Sequence, residues 1–158
     1  MTDPNKNNNL PDLKIDFLGS LINESPLTSL LKVYGFNLDF ITDESFQRIF
    51  NFKDVAERKN INKYIIPLSE DVKKIFLEVL DKEKTNIIYD MTHFCIEDKS
   101  ELLFISYDSM EILSINVSKY PNLAKKSDEK YGELKIYKSS KMTDGGFFDD
   151  IKLPITEN

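Results

Sequence analysis

The sequence predicts an α+β domain in which a mainly helical N-terminal half packs on an antiparallel β-meander of about four strands. Before Thr85 the apolar residues recur mostly at intervals of three and four, which is typical of helices; after it they mostly alternate, which is typical of strands. Helices and strands that are segregated along a chain favour α+β over an alternating α/β architecture. The 158 residues, 41% of them hydrophobic, are enough to form one domain with its own core.

The composition divides the chain into one domain with two polar ends. Residues 1–10 are polar and rich in asparagine, and we expect them to be disordered. Residues 11–140 carry the periodic segments and form the predicted domain. Residues 141–158 form an acidic tail, expected to be partly ordered, in which two phenylalanines precede Asp149 and Asp150. These aromatic side chains either pack on the core or anchor a partner.

Four helices are predicted in the N-terminal half. Residues 13–22 fit helical spacing, although their first five residues also alternate like a strand. Residues 25–35 begin with a Ser-Pro pair that favours a helix start and end with a glycine that favours a helix stop. A short helix is predicted from Thr42. The clearest helix is predicted over residues 69–82, where acidic residues follow a serine N-cap and precede one apolar stripe.

The C-terminal half is predicted to consist of strands joined by polar turns. Residues 86–97 are rich in Ile, Tyr, Thr and Phe, which favours a strand. Three further strands, one short helix and a proline break follow. The next two strands are predicted over residues 101–107 and 111–117. Pro121 breaks the chain, and a short helix over residues 123–130 and a last strand over residues 132–138 follow.

The charge balance favours a protein partner over nucleic acid or membrane. Twenty-seven acidic and 21 basic residues give a net charge of −6, which repels phosphate backbones and anionic lipid surfaces and attracts basic proteins. The N-terminal residues show no apolar segment typical of a secretion signal, and no run of about 18 apolar residues could span a membrane. We therefore expect a cytoplasmic protein that binds neither nucleic acid nor membrane.

Catalytic and metal-binding patterns are weak. The chain has no phosphate-binding glycine loop, no nucleophile elbow, one histidine and one cysteine. His93 and Cys95 lie two residues apart on a predicted strand, so their Cβ atoms are about 6.5 Å apart or more, which is long for a catalytic pair. We expect a structural histidine, a buried cysteine, no cofactor, no metal and no enzymatic activity.

Residues 93–111, HFCIEDKSELLFISYDSME, resemble a hairpin of the immunity proteins of bacterial polymorphic toxins, including contact-dependent growth inhibition systems. In that hairpin a strand with His and acidic residues is followed by a polar turn and by an aliphatic-Phe strand that ends in Tyr-Asp. This chain departs from the pattern at residues 98–100, where a glycine would be usual.

The resemblance implies a small, acidic, non-catalytic protein that binds a cognate toxin, often a basic nuclease, and occludes its active site. Acidic side chains then take the place of the substrate phosphates. Together with the acidic tail, the hairpin supplies the predicted partner-binding residues. These are Glu97, Asp98, Glu101, Tyr107, Asp108, Glu111, Asp149 and Asp150.

Two alternatives remain open from the sequence. The first is an acidic dimeric chaperone for a secreted effector, which an obligate dimer with exposed apolar grooves would favour. The second is an effector or enzyme of unfamiliar type, which a deep pocket that holds His93 and two carboxylates would favour.

Overall fold

The computed structural model of the chain describes residues 10–35, 56–58 and 61–142. It is an α+β structure in which the described strands form one mixed sheet of seven, in the order β2-β3-β1-β4-β5-β6-β7. The strands are β1 (Leu30–Gly35), β2 (Ala56–Arg58), β3 (Ile61–Pro67), β4 (His93–Asp98), β5 (Glu101–Tyr107), β6 (Ile112–Asn116) and β7 (Ile136–Ser139). The helices are α1 (Leu10–Glu24), α2 (Glu70–Glu83), α3 (Thr85–Asp90) and α4 (Pro121–Lys126).

Helix α1 confirms the predicted helix over residues 13–22. Its apolar residues at positions 17, 18, 21 and 22 are fully buried, because their spacing places them on one face. The helix ends at Glu24. The next residue, Ser25, donates to the Leu21 carbonyl from its backbone N–H at 3.0 Å and from its hydroxyl at 2.7 Å. A tight turn at Pro26 then directs the chain into the sheet, with Ser29 N–H donating to the Pro26 carbonyl.

The predicted helix over residues 25–35 is wrong, because this segment contains the turn that follows α1 and then strand β1. β1 pairs antiparallel with both β3 and β4, so it is an interior strand. Leu31 and Val33 are buried on one face and Tyr34 is buried on the other. Apolar residues on both faces of an interior strand give a run without clean alternation, which imitates helical spacing.

Helix α2 confirms the predicted helix over residues 69–82. The Ser69 hydroxyl accepts a hydrogen bond from the backbone N–H of Val72 at 3.4 Å, as an N-cap does. The apolar stripe is buried apart from the half-buried Ile75, and Lys73 is buried as well, since it is only 9% exposed. The Lys73 ammonium donates to two backbone carbonyls at the C-terminus of α1, those of Asn23 and Ser25. This lysine therefore ties α2 to the end of α1.

The strand predicted over residues 86–97 is wrong in its first half. Residues 85–90 form the short helix α3, and the strand begins at His93. Ile87 and Ile88 are buried in the helical layer, so tertiary packing overrides the strand propensity of these β-branched residues.

Strands β4, β5 and β6 confirm an antiparallel meander, although of three strands. Asp98 pairs with Glu101, so the β4–β5 loop has two residues, Lys99 and Ser100, with φ angles of 51° and 68°. Positive φ at both positions is the mark of a type I′ hairpin turn, which usually contains glycine or asparagine. The turn thus forms without the glycine that the hairpin pattern would usually contain.

The last strand was predicted as part of the antiparallel meander, and this is wrong. β7 pairs parallel with β6, with Leu113 opposite Ile136. The connection from β6 through α4 crosses over before the chain enters β7, and a crossover connection produces a parallel pair. The prediction of a mainly helical N-terminal half is also wrong, since β1, β2 and β3 lie there and extend the sheet beyond four strands.

The two faces of the sheet differ in their cover. One face, which we call the inner face, packs against α1, α2 and α3 around Phe17, whose ring centroid lies 5.8 Å from that of Phe104 and 5.1 Å from that of Tyr131. The opposite outer face carries a smaller buried cluster of Tyr34, Cys95 and Ile105. The predicted short helix at Thr42 lies outside the described residues.

Candidate functional site

The sheet separates the predicted partner-binding residues into two groups. Glu97, Asp98 and Glu101 lie at the β4–β5 turn, whereas Tyr107, Asp108 and Glu111 lie at the β5–β6 turn. β5 has seven residues, so these two ends are about 20 Å apart at the rise of a strand. Asp149 and Asp150 lie outside the described residues.

Acidic residues at the β4–β5 turn are bound by partners within the chain. Glu97 forms an ion pair with Lys32 at 2.6 Å, and Glu101 forms one with Lys119 at 3.5 Å. Asp98 accepts a hydrogen bond from the Thr28 hydroxyl at 2.7 Å.

A groove of about 540 Å³ at this end is lined by both signs of charge. Two glutamates face it, together with Lys99 and Lys141. The described residues at this end therefore present both signs of charge to a partner.

The β5–β6 turn is built from backbone in an unusual conformation. Asp108, Ser109 and Met110 all have positive φ angles, of 54°, 54° and 66°. Glu111 is 69% exposed and forms an ion pair with Lys14 of α1 at 3.0 Å. Asp108 is exposed, and its carboxylate forms no ion pair with another described residue.

His93 supports this turn from the neighbouring strand. Its Nδ1 accepts a hydrogen bond from the Asp108 backbone N–H at 3.2 Å, and its ring centroid lies 6.0 Å from that of Tyr107. Partial burial lowers the pKa of His93 below its ordinary value, while the nearby Asp108 carboxylate acts in the opposite direction. The neutral ring is the form that can accept at Nδ1, so the geometry and the lowered pKa agree.

Next to this turn, the outer face of the sheet exposes large side chains that the sequence did not single out. Ile112 lies opposite Tyr107 in the β5–β6 register, and Tyr137 lies opposite Ser114 in the β6–β7 register. Ile112 is 41% exposed and Tyr137 is 63% exposed. We call Tyr107, Ile112 and Tyr137 the outer-face band.

The outer-face band is continuous across three strands. Side chains directly opposite lie about 5 Å apart and diagonal neighbours about 7–8 Å apart, so each member is within reach of the next. The only sequence signal for it was period-two alternation in β6 and β7. That signal marks a face, but it does not tell which face is covered.

Cys95 lies on the same face but is only 2% exposed, between Tyr34 and Ile105. It therefore behaves as a small buried apolar residue, as predicted. Within the described ranges, no group of three His, Cys, Asp or Glu side chains is arranged to hold a metal ion. Among the helices in those ranges, none combines the length and apolar character that a membrane span requires.

No protein-family model matches the sequence, and neither the search of curated proteins nor the search of solved structures found a match.

Proposed function

We propose that this chain is a protein-binding immunity protein that neutralises a cognate bacterial toxin by covering its active site. The observation that carries the proposal is the outer-face band, which lies beside the Asp108 carboxylate at the end of the hairpin that resembles those of immunity proteins. The proposal concerns binding, so the chain itself performs no chemistry.

The residues of the band suit a protein interface. Tyrosine combines a large apolar ring with a hydroxyl and loses little conformational entropy when it is bound, and it is frequent among residues that dominate binding energy. Tyr137 lies on β7, the last strand in the sheet order, and Ile112 lies on its neighbour β6. Both side chains are exposed to solvent and add little to the core. Burying them against a partner would remove apolar surface from water.

Charge favours a basic partner. The chain carries a net charge of −6, and the Asp108 carboxylate has no cation bound to it among the described residues. A basic nuclease-type toxin would be attracted over long range and held by close charge pairs at contact. Of the eight predicted partner-binding residues, the proposal keeps Tyr107 and Asp108 as direct contacts and Glu111 at the edge of the surface.

The proposal is tested by affinity capture of the tagged chain from its native host, followed by mass spectrometry at low and at moderate salt. We expect one basic protein at one-to-one stoichiometry, with less of it recovered at moderate salt. Capture is repeated with Ile112→Ser/Tyr137→Ser, which we expect to recover less partner, and the dissociation constant measured with the purified partner should rise at least about 30-fold if the band dominates the binding energy.

Tyr89→Ser is the matched control, because Tyr89 is 68% exposed and lies on α3, on the helical side of the sheet. The control is expected to recover as much partner as the wild-type chain. Equal recovery by the Ile112→Ser/Tyr137→Ser chain would place the interface elsewhere. Recovery of a self-dimer bound to an extended effector would favour a chaperone.

A further inference from the structure

Gly19 lies in the interior of α1, where glycine is less favourable than every residue except proline. Its φ angle is not in the left-handed region, so the backbone conformation does not require glycine. A Cβ at this position would lie 3.6 Å from Leu80 Cδ2 and 3.7 Å from Leu77 Cδ2, which are ordinary van der Waals distances. Packing between α1 and α2 therefore does not require glycine either.

Gly19 lines a groove of about 360 Å³ between α1 and α2. Gly19, Leu77 and Leu80 give it an apolar floor. Asp16 of α1 and Asp81 of α2 are the charged residues that line it, and both are exposed. Ile15, Ser20 and Asn23 complete the lining.

The two carboxylates differ in their surroundings. Asp16 is bound on one side by Lys130 at 2.8 Å and by the Tyr131 hydroxyl at 2.7 Å. Partial burial acts to raise the pKa of Asp16, but these hydrogen bonds and the positive charges of Lys130 and Lys126 together outweigh it, and the net shift is downward. Asp16 is therefore ionised at neutral pH.

Asp81 forms no ion pair with any residue that the structure describes. It also lies in the last turn of α2, where the helix dipole disfavours a negative charge. Gly19 and Asp81 thus both go against local helix preference, and both face one groove. Local preferences that are violated together in one place are expected at sites of function.

We propose that this groove binds a lysine or arginine side chain of a protein partner. The aliphatic stem lies over Gly19, Leu77 and Leu80, and the cationic head lies beside the Asp81 carboxylate, as long basic side chains do on apolar surfaces with an acidic rim. Asp16 lines the same groove but is already paired with Lys130. The groove is on the helical side of the sheet, whereas the outer-face band is on the other side. The proposal therefore stands independently of the immunity function.

The test is a titration of the isotope-labelled chain with N-acetyl-alanyl-arginyl-alanine amide, followed by backbone amide NMR shifts. We expect saturable shifts confined to residues 15–23 and 77–81. The same peptide with norleucine in place of arginine should shift these amides far less, because it keeps an apolar stem and lacks the charge. Shifts of equal size for both peptides, or arginine-induced shifts spread evenly over the acidic surface, would overturn the proposal.

Two substitutions and one control sharpen the test. Asp81→Asn should weaken arginine-peptide binding about twofold to fivefold, the range of an exposed ion pair, whereas Glu78→Gln, on α2 but outside the groove, should leave it unchanged. Gly19→Ala should raise the unfolding midpoint by about 1–4 °C, because alanine favours the helix, and it should weaken binding, because the added Cβ fills part of the floor. Unchanged binding in both Asp81→Asn and Gly19→Ala would refute the groove as the binding site.

Discussion

The β4–β5 turn gives a quantitative prediction, because Ser100 holds a φ angle of 68° without the freedom of glycine. For a residue with a Cβ, a left-handed conformation costs about 1–2 kcal/mol, which glycine does not incur. Ser100→Gly also increases the conformational entropy of the unfolded chain, which offsets about 0.4–1 kcal/mol of that gain. Ser100 is exposed, so little packing is lost. We expect the free energy of unfolding to rise by about 0.8 kcal/mol, the middle of the ~0–1.6 kcal/mol range that these two figures span.

The assay is urea denaturation of the wild-type chain and of Ser100→Gly, with thermal unfolding as a second measure. A gain of this size corresponds to a midpoint about 1–4 °C higher for a chain of this length. Ser140→Gly is the matched control, because Ser140 is also exposed and does not have a positive φ angle. It should lower stability. A neutral or destabilising Ser100→Gly, or an equal gain from Ser140→Gly, would refute the type I′ assignment of this turn.

Three further predictions concern His93, Lys73 and the acidic tail. Because the pKa of His93 is lowered in the folded chain, the unfolded chain binds more protons than the folded chain below pH 6.5, and the free energy of unfolding should decrease as pH falls from 6.5. The measurement is urea denaturation of the wild-type chain and of His93→Gln at pH 7.5 and 5.5. An equal decrease in His93→Gln would contradict this prediction. Lys73→Met should reduce the free energy of unfolding by about 1–3 kcal/mol in the same assay, because two carbonyls at the end of α1 lose their hydrogen-bond donor. An unchanged free energy of unfolding would contradict the stabilising role of Lys73. Asp149→Lys combined with Asp150→Lys should slow association with the captured partner and reduce its salt dependence, whereas unchanged kinetics would remove the tail from the interface.

The elements that the sequence predicted well are those whose signals are local. The helix over residues 69–82 has its own N-cap at Ser69 and one apolar stripe, so it needs no information from the rest of the chain. The strands of the hairpin likewise carry alternating residues and a polar two-residue turn, and Cys95 is buried as its apolar surroundings indicated.

The elements that the sequence predicted wrongly depend on their tertiary neighbours. Ser25 and Pro26 favour a helix start, but in the structure they follow the end of α1. A serine hydroxyl can cap the helix that follows it, but it can also donate to a carbonyl of the helix before it, as Ser25 does to Leu21. Leu31 and Tyr34 are buried on opposite faces of an interior strand, which no local pattern reports. The parallel pairing of β7 depends on the crossover through α4.

The candidate site could be predicted only in part. The residues around Asp108 were found from the hairpin, but spacing along the chain could not show that Glu97 and Glu101 are bound by lysines of other segments. Nor could it show that Tyr137 lies across the sheet from the hairpin, because strand order is a property of the whole fold.

The most direct test of the immunity function is a growth assay. The captured partner is expressed in a susceptible host alone, with the wild-type chain, with Tyr89→Ser or with Ile112→Ser/Tyr137→Ser, at matched levels of folded protein. The proposal predicts that the partner alone arrests growth, that the wild-type and Tyr89→Ser chains restore it, and that the Ile112→Ser/Tyr137→Ser chain does not. Full protection by that variant would contradict the role of the outer-face band, and growth arrest that the wild-type chain does not relieve would contradict the immunity function itself.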